Sequence, residues 1–412
     1  MTAFAIIGAV SGAAVAAGPL IGGAMTTYFD WRYVFIAEVV IMLGVVFCAR
    51  MVTDATPRQS VRIDVVSVLL SSASLLLIVF GMLQSKTWGW ITPLHTPEIA
   101  GVAVAPLGVS LTAWCIAVGA VLASLFVGWQ RRLVRSGRAP LVQTALFSIA
   151  PLRSGLAVLG AQYAVTAGLF FMVPVYLQMT LGLDALQTGI KIFPLSVSLL
   201  LFSIVGTRLS RRWSPRRIVR FGQLILVLSA TLLLGGVTSD LRGGLFATGM
   251  FLAGSALGLL ASQLGNVNMS SVTEKDTSEV GGLQGVFQNL GSSLGTALIG
   301  SILIGALSTS FASGVAASDL PEEVRTSVNA ATDRGVTIVP AADVARLGEQ
   351  AGLSAADADK LAVIYRDSQL SSLRVAFFGL ILISLFSMFF SRGLPSAVEL
   401  RRSTKRAQPA PP

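Results

Sequence analysis

The sequence predicts an all-α integral membrane protein with about ten transmembrane helices, and three observations predict it. Of the 412 residues 53% are hydrophobic and 12% charged, with a mean hydropathy of +0.75. That is about half the charge of an ordinary water-soluble domain. Apolar runs of roughly 20 residues, the length a helix needs to cross the hydrocarbon core, recur along the chain. The arginines collect in every second connection between these runs, the pattern that orients membrane proteins.

The runs fall near 3–25, 33–52, 63–84, 101–128, 153–179, 187–208, 217–238, 243–265, 279–307 and 371–392. Arg50, Arg58 and Arg62 share one connection, and Arg131, Arg132, Arg135, Arg138 and Arg153 lie two connections later. Next come Arg208, Arg211, Arg212, Arg216, Arg217 and Arg220, and then the tail with Arg392, Arg401, Arg402, Lys405 and Arg406. The positive-inside rule puts these segments and both termini in the cytoplasm, with the chain in the cytoplasmic membrane. Asn266 to Ser278, holding Glu274, Lys275 and Asp276, is a cytoplasmic connection with little bias. The net charge of +10 therefore reflects orientation, and nucleic acid is not an expected partner.

Cys48 and Cys115 lie far apart in apolar runs, and His95 is the only histidine. That excludes a disulfide framework and a histidine-based metal or catalytic cluster, and disfavours a membrane enzyme. No cleavable signal peptide is visible, because Met1 runs straight into an apolar segment. Residues 308–370 are polar and richer in acids than bases. Pro321-Glu322-Glu323-Val324 and Ser354-Ala355-Ala356-Asp357 read as helix starts, so this stretch predicts a small helical extracellular insert. It serves either as a solvated spacer or in a specific role. The basic, proline-containing residues 401–412 predict a disordered tail near the anionic inner leaflet.

Inside the first run, Ala13 to Gly23 reads AAVAAGPLIGG. Proline removes a backbone donor and bends a helix, and the small residues beside it let a second helix approach at backbone distance. This is either a kinked packing interface or a surface on which a neighbouring helix rocks. The stretch resembles the antiporter signature of the major facilitator superfamily, found on the fifth helix of its drug:proton antiporters. Gly18, Pro19, Gly22 and Gly23 match that signature, and Ala14 stands where it has a further glycine. Asp30-Trp31-Arg32-Tyr33-Val34-Phe35 resembles the short outer turn into helix six.

The resemblance covers nearly the whole chain and is to the fourteen-helix group. Asp64, Gly81 and Trp88-Gly89-Trp90 look like the first of its two linker helices. Tyr176-Leu177-Gln178 with Gly182, Leu186, Gly189 and Pro194 resembles the end of helix nine and the start of helix ten. Gly281-Gly282, Gln288-Asn289-Leu290-Gly291 and Gly295 resemble helix thirteen. In the loop after helix ten, Arg211 stands where the family has an aspartate, followed by Arg212, Ser214 and the pair Arg216-Arg217. A missing acid removes the partner of a charge-pair gate there.

The resemblance implies a major facilitator fold lacking its first four helices. Residues 1–52 would be a remnant of the first bundle, 53–152 two linker helices with cytoplasmic loops, and 153–412 the six-helix second bundle. It implies a proton-coupled exporter of amphipathic small molecules, with no cofactor beyond the proton gradient and an incomplete chain completed by separately encoded helices. The alternative is a non-transporting remnant or an assembly or regulatory partner.

Candidate residues follow from depth and side-chain chemistry. Glu38 lies six residues past Arg32, about 9 Å into the outer half of the bilayer at 1.5 Å per residue. It is either a proton site or a hydrated carboxylate paired with Arg32. Gln162, Tyr163 and Thr166 share a helical face, continued by Phe170, Phe171, Tyr176 and Gln178 around Pro174. Gln284, Gln288 and Asn289 form a comparable stripe. These groups either line a cavity or hydrogen-bond between helices. Gly291 and Gly295 are read as packing, and Arg208, Arg212, Arg216 and Arg217 as the cytoplasmic loop's anchors.

Overall fold

The computed structural model describes residues 17–51, 64–94, 96–99, 102–103, 105–138, 140–273, 276–333 and 338–396. Helical backbone over 17–28 (α1) is followed by α2, Arg32–Ala49, and a hairpin of α3, Val65–Trp88, and α4, Leu111–Arg135. The second half holds α5, Ala150–Pro174; α6, Ala185–Leu209; α7, Pro215–Gly236; α8, Gly243–Ser270; and α9, Thr277–Ala316. Two short helices, α10, Glu322–Asp333, and α11, Ala341–Gln350, precede α12, Ala355–Phe390. Among the described residues, nine helices are long and apolar enough to cross a membrane. With the helical stretch at 17–28 they occupy the ten apolar runs of the sequence.

Boundaries differ from the hydropathy reading where polar chemistry intervenes. The fourth run, expected from residue 101, becomes helical only at Leu111. Before it, Glu98–Ile99 pairs antiparallel with Val102–Ala103, and Pro106–Gly108 forms a tight turn in which Leu107 has φ 58°. The hydroxyl of Ser110 then accepts from the Thr112 N–H and starts the helix. At its other end α4 continues through Arg131, Arg132 and Arg135, which hydropathy had placed in a loop. Arginine stems can lie along a helix while their heads reach the headgroup layer.

The α3–α4 hairpin is packed inside out compared with a soluble pair. Among the described residues most of its buried side chains are small or polar, Ser67, Ser74 and Ser85 on α3 and Thr112 and Gln130 on α4, with Leu133 of α4 the large apolar one. A Cβ on Gly119 would lie 2.7 Å from Ile78 and 3.0 Å from the Ser74 carbonyl. Lipid tails are as apolar as leucine, so helices in lipid gain by close approach rather than by hiding apolar surface. A polar chain fastens one end. Trp129 donates to Asp64 at 2.8 Å, Gln130 donates to Ser67 at 2.7 Å, and the Gln130 amide oxygen accepts from Leu141 N–H at 2.7 Å. The same connection reaches α9, where Gln143 donates through its backbone to Glu279 and through its side chain to Asp276. At the opposite end Trp90 donates to Ser301 of α9 at 3.1 Å.

The main hydrophobic core belongs to α5–α9 and α12. Pro174 lacks the N–H that would continue α5, and the chain widens into a π-helical turn over Val175–Thr180. α9 and α12, with 40 and 36 residues, are about 60 and 54 Å long, well beyond a hydrocarbon core of about 30 Å. The stretch read as an insert is thus built partly from their protruding ends, with α10 and α11 between them. Glu322 does start a helix, and Ser354 does cap one, but that helix runs unbroken to Phe390. Leu307, Phe311, Leu320, Val344, Leu361 and Tyr365 form its own small core, with Phe311 and Tyr365 edge to face at 5.2 Å.

Tyr176 ties the π-turn to the α7–α8 connection. It is 1% exposed; its hydroxyl donates to the Thr238 carbonyl at 2.8 Å and accepts from the Thr238 N–H at 3.2 Å. Tyr176→Phe should lower the unfolding free energy by about 1–3 kcal/mol, because it strands buried backbone groups. Thermal unfolding of the purified chain in detergent measures this, and an unchanged midpoint would refute the role of the hydroxyl.

Candidate functional site

The signature stretch meets the second half of the chain directly. Gly23 is buried, and a Cβ there would lie 2.6 Å from the Ala185 carbonyl at the start of α6. Reciprocally, a Cβ on Gly189 would collide with the Pro19 carbonyl. The Leu186 N–H, unpaired within the first turn of α6, donates to the Thr27 hydroxyl at 3.1 Å. Two helices so placed touch through backbone rather than interlocking side chains, which leaves few ridges to resist sliding. Gly18 and Gly22 have nothing within 4 Å of a Cβ, so only part of the signature makes this contact. Ala14 lies outside the described residues.

α5 and α9 cross by the same device. A Cβ on Gly291 would strike the Gly160 carbonyl, and one on Gly295 the Ala164 carbonyl. Both glycines were read as packing residues, and both are buried at this crossing. Next to it on α5, Gln162 is 8% exposed and its amide oxygen has no hydrogen-bond partner. Tyr163 is half-buried against the main core, and Thr166 returns its hydroxyl to the Gln162 carbonyl at 2.8 Å.

The other polar candidates are dispersed. Tyr176, expected to line a cavity, is sealed in the core, because the π-turn swings its hydroxyl onto backbone groups at 236–238. Phe170 is exposed on α5, and Gln178 is half-buried in the π-turn. Gln284 reaches the Gly265 carbonyl of α8 at 3.5 Å, and Gln288 is half-buried. Asn289 is exposed and bonds back to Gly285 on its own helix at 2.9 Å. Glu38 is exposed on α2, none of whose 18 residues is buried. Arg32 is not its partner: it pairs with Asp30 at 3.1 Å. Of the loop anchors, Arg208, Arg212 and Arg217 are exposed and Arg216 is half-buried at the start of α7.

Several polar groups escaped the sequence reading. Asn268 of α8 is 0% exposed with neither amide atom bonded, packed where Gly155 of α5 leaves room. Thr180 and Gln369 place unpartnered oxygens beside a small void lined also by Leu303, Leu307, Ile338 and Ser372. The signal was present, since an amide inside an apolar run is costly enough to warrant attention.

These features define a multi-pass membrane protein whose helices meet through smooth small-residue faces around a few buried amides. The sequence pattern of the Major Facilitator Superfamily matches residues 1–296, and the chain belongs to that superfamily. It is 28% identical over 381 residues to the tetracenomycin C resistance and export protein of Streptomyces glaucescens, covering 91% of this chain and 65% of that protein. It is 25% identical to the probable actinorhodin transporter of Streptomyces coelicolor, covering 80% of this chain and 55% of the relative. It is 26% identical to the multidrug efflux pump LfrA of Mycolicibacterium smegmatis, covering 70% of this chain and 53% of the relative. The chain thus spans just over half to about two thirds of the length of these relatives.

The α1–α6 contact is testable by cross-linking Thr27→Cys to Leu186→Cys with a short bifunctional reagent. Gly189→Val should reduce the yield severalfold, while Gly22→Ala, whose Cβ meets open space, should leave it unchanged. Equal yields in all three backgrounds would refute the contact.

Proposed function

We propose that this chain is the working part of a proton-coupled exporter that moves amphipathic small molecules across the cytoplasmic membrane. The observation that carries the reading is the smooth α1–α6 contact, with glycine on each helix meeting backbone on the other. Such a surface lets two groups of helices rock, which alternating access requires. The resistance and export roles printed for its relatives support small organic molecules as cargo. The ten spans correspond, on this reading, to helices five to fourteen of the fourteen-helix group. The chain spans only part of these relatives' length, and the reading takes transport to involve their additional helices as well.

Gln162 is the substrate-facing group we favour. It is buried at the α5–α9 crossing with an unused acceptor, which suits the N–H or O–H of an otherwise apolar solute. The energy source is the proton gradient, with arginine-rich loops and both termini in the cytoplasm. Glu38 is the carboxylate proposed to take the proton, as an acid set within an apolar span.

The assay is accumulation of a fluorescent amphipathic cation in an efflux-deficient bacterium making this chain together with the relatives' additional helices. Accumulation should fall severalfold and recover when an uncoupler collapses the gradient. Gln162→Leu should weaken export while leaving the amount of protein in the membrane unchanged. Export that persists without a proton gradient would exclude proton coupling, and no change in accumulation would exclude the exporter reading.

A further inference from the structure

Ionic pairing is unevenly distributed over this protein. Among the described residues the ion pairs are Arg32–Asp30, Arg325–Glu322, Arg346–Asp343 and Lys360–Asp357. All lie at the end away from the arginine-rich connections. At the arginine-rich end, the start of α7 meets the end of α12 and gathers Arg216, Arg220 and Arg392. None of the three takes part in those ion pairs. The charges that bear on Arg220 are Arg216 and Arg392, both positive.

The cluster is built, not merely crowded. Arg216, Arg220 and Gln223 follow one another at spacings of four and three along one face of α7. Arg220 Nε donates to Ser391 at 3.2 Å, and Gln223 donates to Ser387 at 3.0 Å, so α12 holds this face in place. Arg392 lies over the Phe389 ring, 4.7 Å from its centre. The Nε of Arg216 is buried without a hydrogen-bond partner. Ser214, at the N-cap of α7, makes no side-chain capping bond, so the positive end of a 22-residue helix points the same way.

Three like charges with an unused buried donor beside an uncapped helix start call for an anion. The surroundings specify which kind. Deeper along α7, Phe221, Leu224 and Leu228 are exposed, and so are Phe386 and Phe389 on the adjoining turns of α12. Cations thus sit at the rim of an apolar surface shared by two neighbouring spans, which suits a charged head with hydrocarbon chains below it.

We infer that Arg216, Arg220 and Arg392 form a binding site for the phosphate of an anionic phospholipid, whose acyl chains lie along the exposed sides of α7 and α12. The bound phosphate takes the place of a carboxylate partner, which these arginines lack among the described residues, and lets the two helix ends stay together despite their charge. This inference needs only the membrane location and stands apart from the export reading.

The test is thermal unfolding of the whole purified chain in a neutral detergent, titrated with phosphatidylglycerol. Phosphatidylglycerol should raise the unfolding midpoint in a saturable way, and phosphatidylcholine should not. Arg216→Gln and Arg392→Gln should each weaken half-saturation about fivefold, the loss expected for one basic residue near an anionic lipid. Arg392 makes no hydrogen bond to the helices, so that variant separates lipid binding from folding. The Arg131→Gln/Arg132→Gln double variant should keep the full effect. The inference is overturned if phosphatidylcholine acts equally, if inorganic phosphate alone gives the same shift, or if the double variant loses as much as Arg216→Gln.

Discussion

Contact between helix backbones at glycine underlies the arrangement of this chain. Inside a bilayer, hiding apolar side chains from lipid gains almost nothing, so helices associate where they can come close. Gly291 on Gly160 and Gly295 against Ala164 seat α9 on α5. Gly254 and Gly258 of α8 do the same against the carbonyls of Leu195 and Leu199 on α6. The α3–α4 seam and the α1–α6 contact extend the principle to the first half. Bulk at these positions would separate backbones, and the large apolar side chains are left free to face lipid.

Polar groups then divide into three populations. Many serine and threonine hydroxyls return to a carbonyl three or four residues back, which satisfies them at no cost to neighbours. Others bridge elements, as Trp129, Gln130 and Gln143 do in linking the α3–α4 hairpin to α9. A third set is buried with unused capacity, Gln162, Asn268, Thr180 and Gln369 among them. An unpaired amide in a low-dielectric interior is expensive, and such groups are where a solute, a water or a second conformation has most to offer.

Ion pairing among the described residues is concentrated at one end of the bundle. Acids and their pairs gather on α10, α11 and the start of α12, while the other end has arginines that those pairs leave out. Arg211 and Arg212, exposed in the turn before α7, belong to this imbalance. A compact core can tolerate such a cluster only at an interface, where water and lipid phosphate screen it.

The sequence by itself determined the class and the placement of the apolar spans, because hydropathy and loop charge report local free energies of transfer that need no tertiary context, and its motifs pointed to the superfamily. Gly23, Gly291 and Gly295 were also recognisable as contact residues from the spacing of small residues. What they touch was decided only by the tertiary structure. Tyr176 looked like a cavity residue until Pro174 and the π-turn carried its hydroxyl to backbone at 236–238. That α9 and α12 run on into the polar insert was not visible in the sequence either. Arg216, Arg220 and Arg392 are spread over 177 positions, and no local pattern joins them. A membrane sets how deep each residue lies from its own neighbours in sequence, but which faces meet depends on the packing of several helices at once.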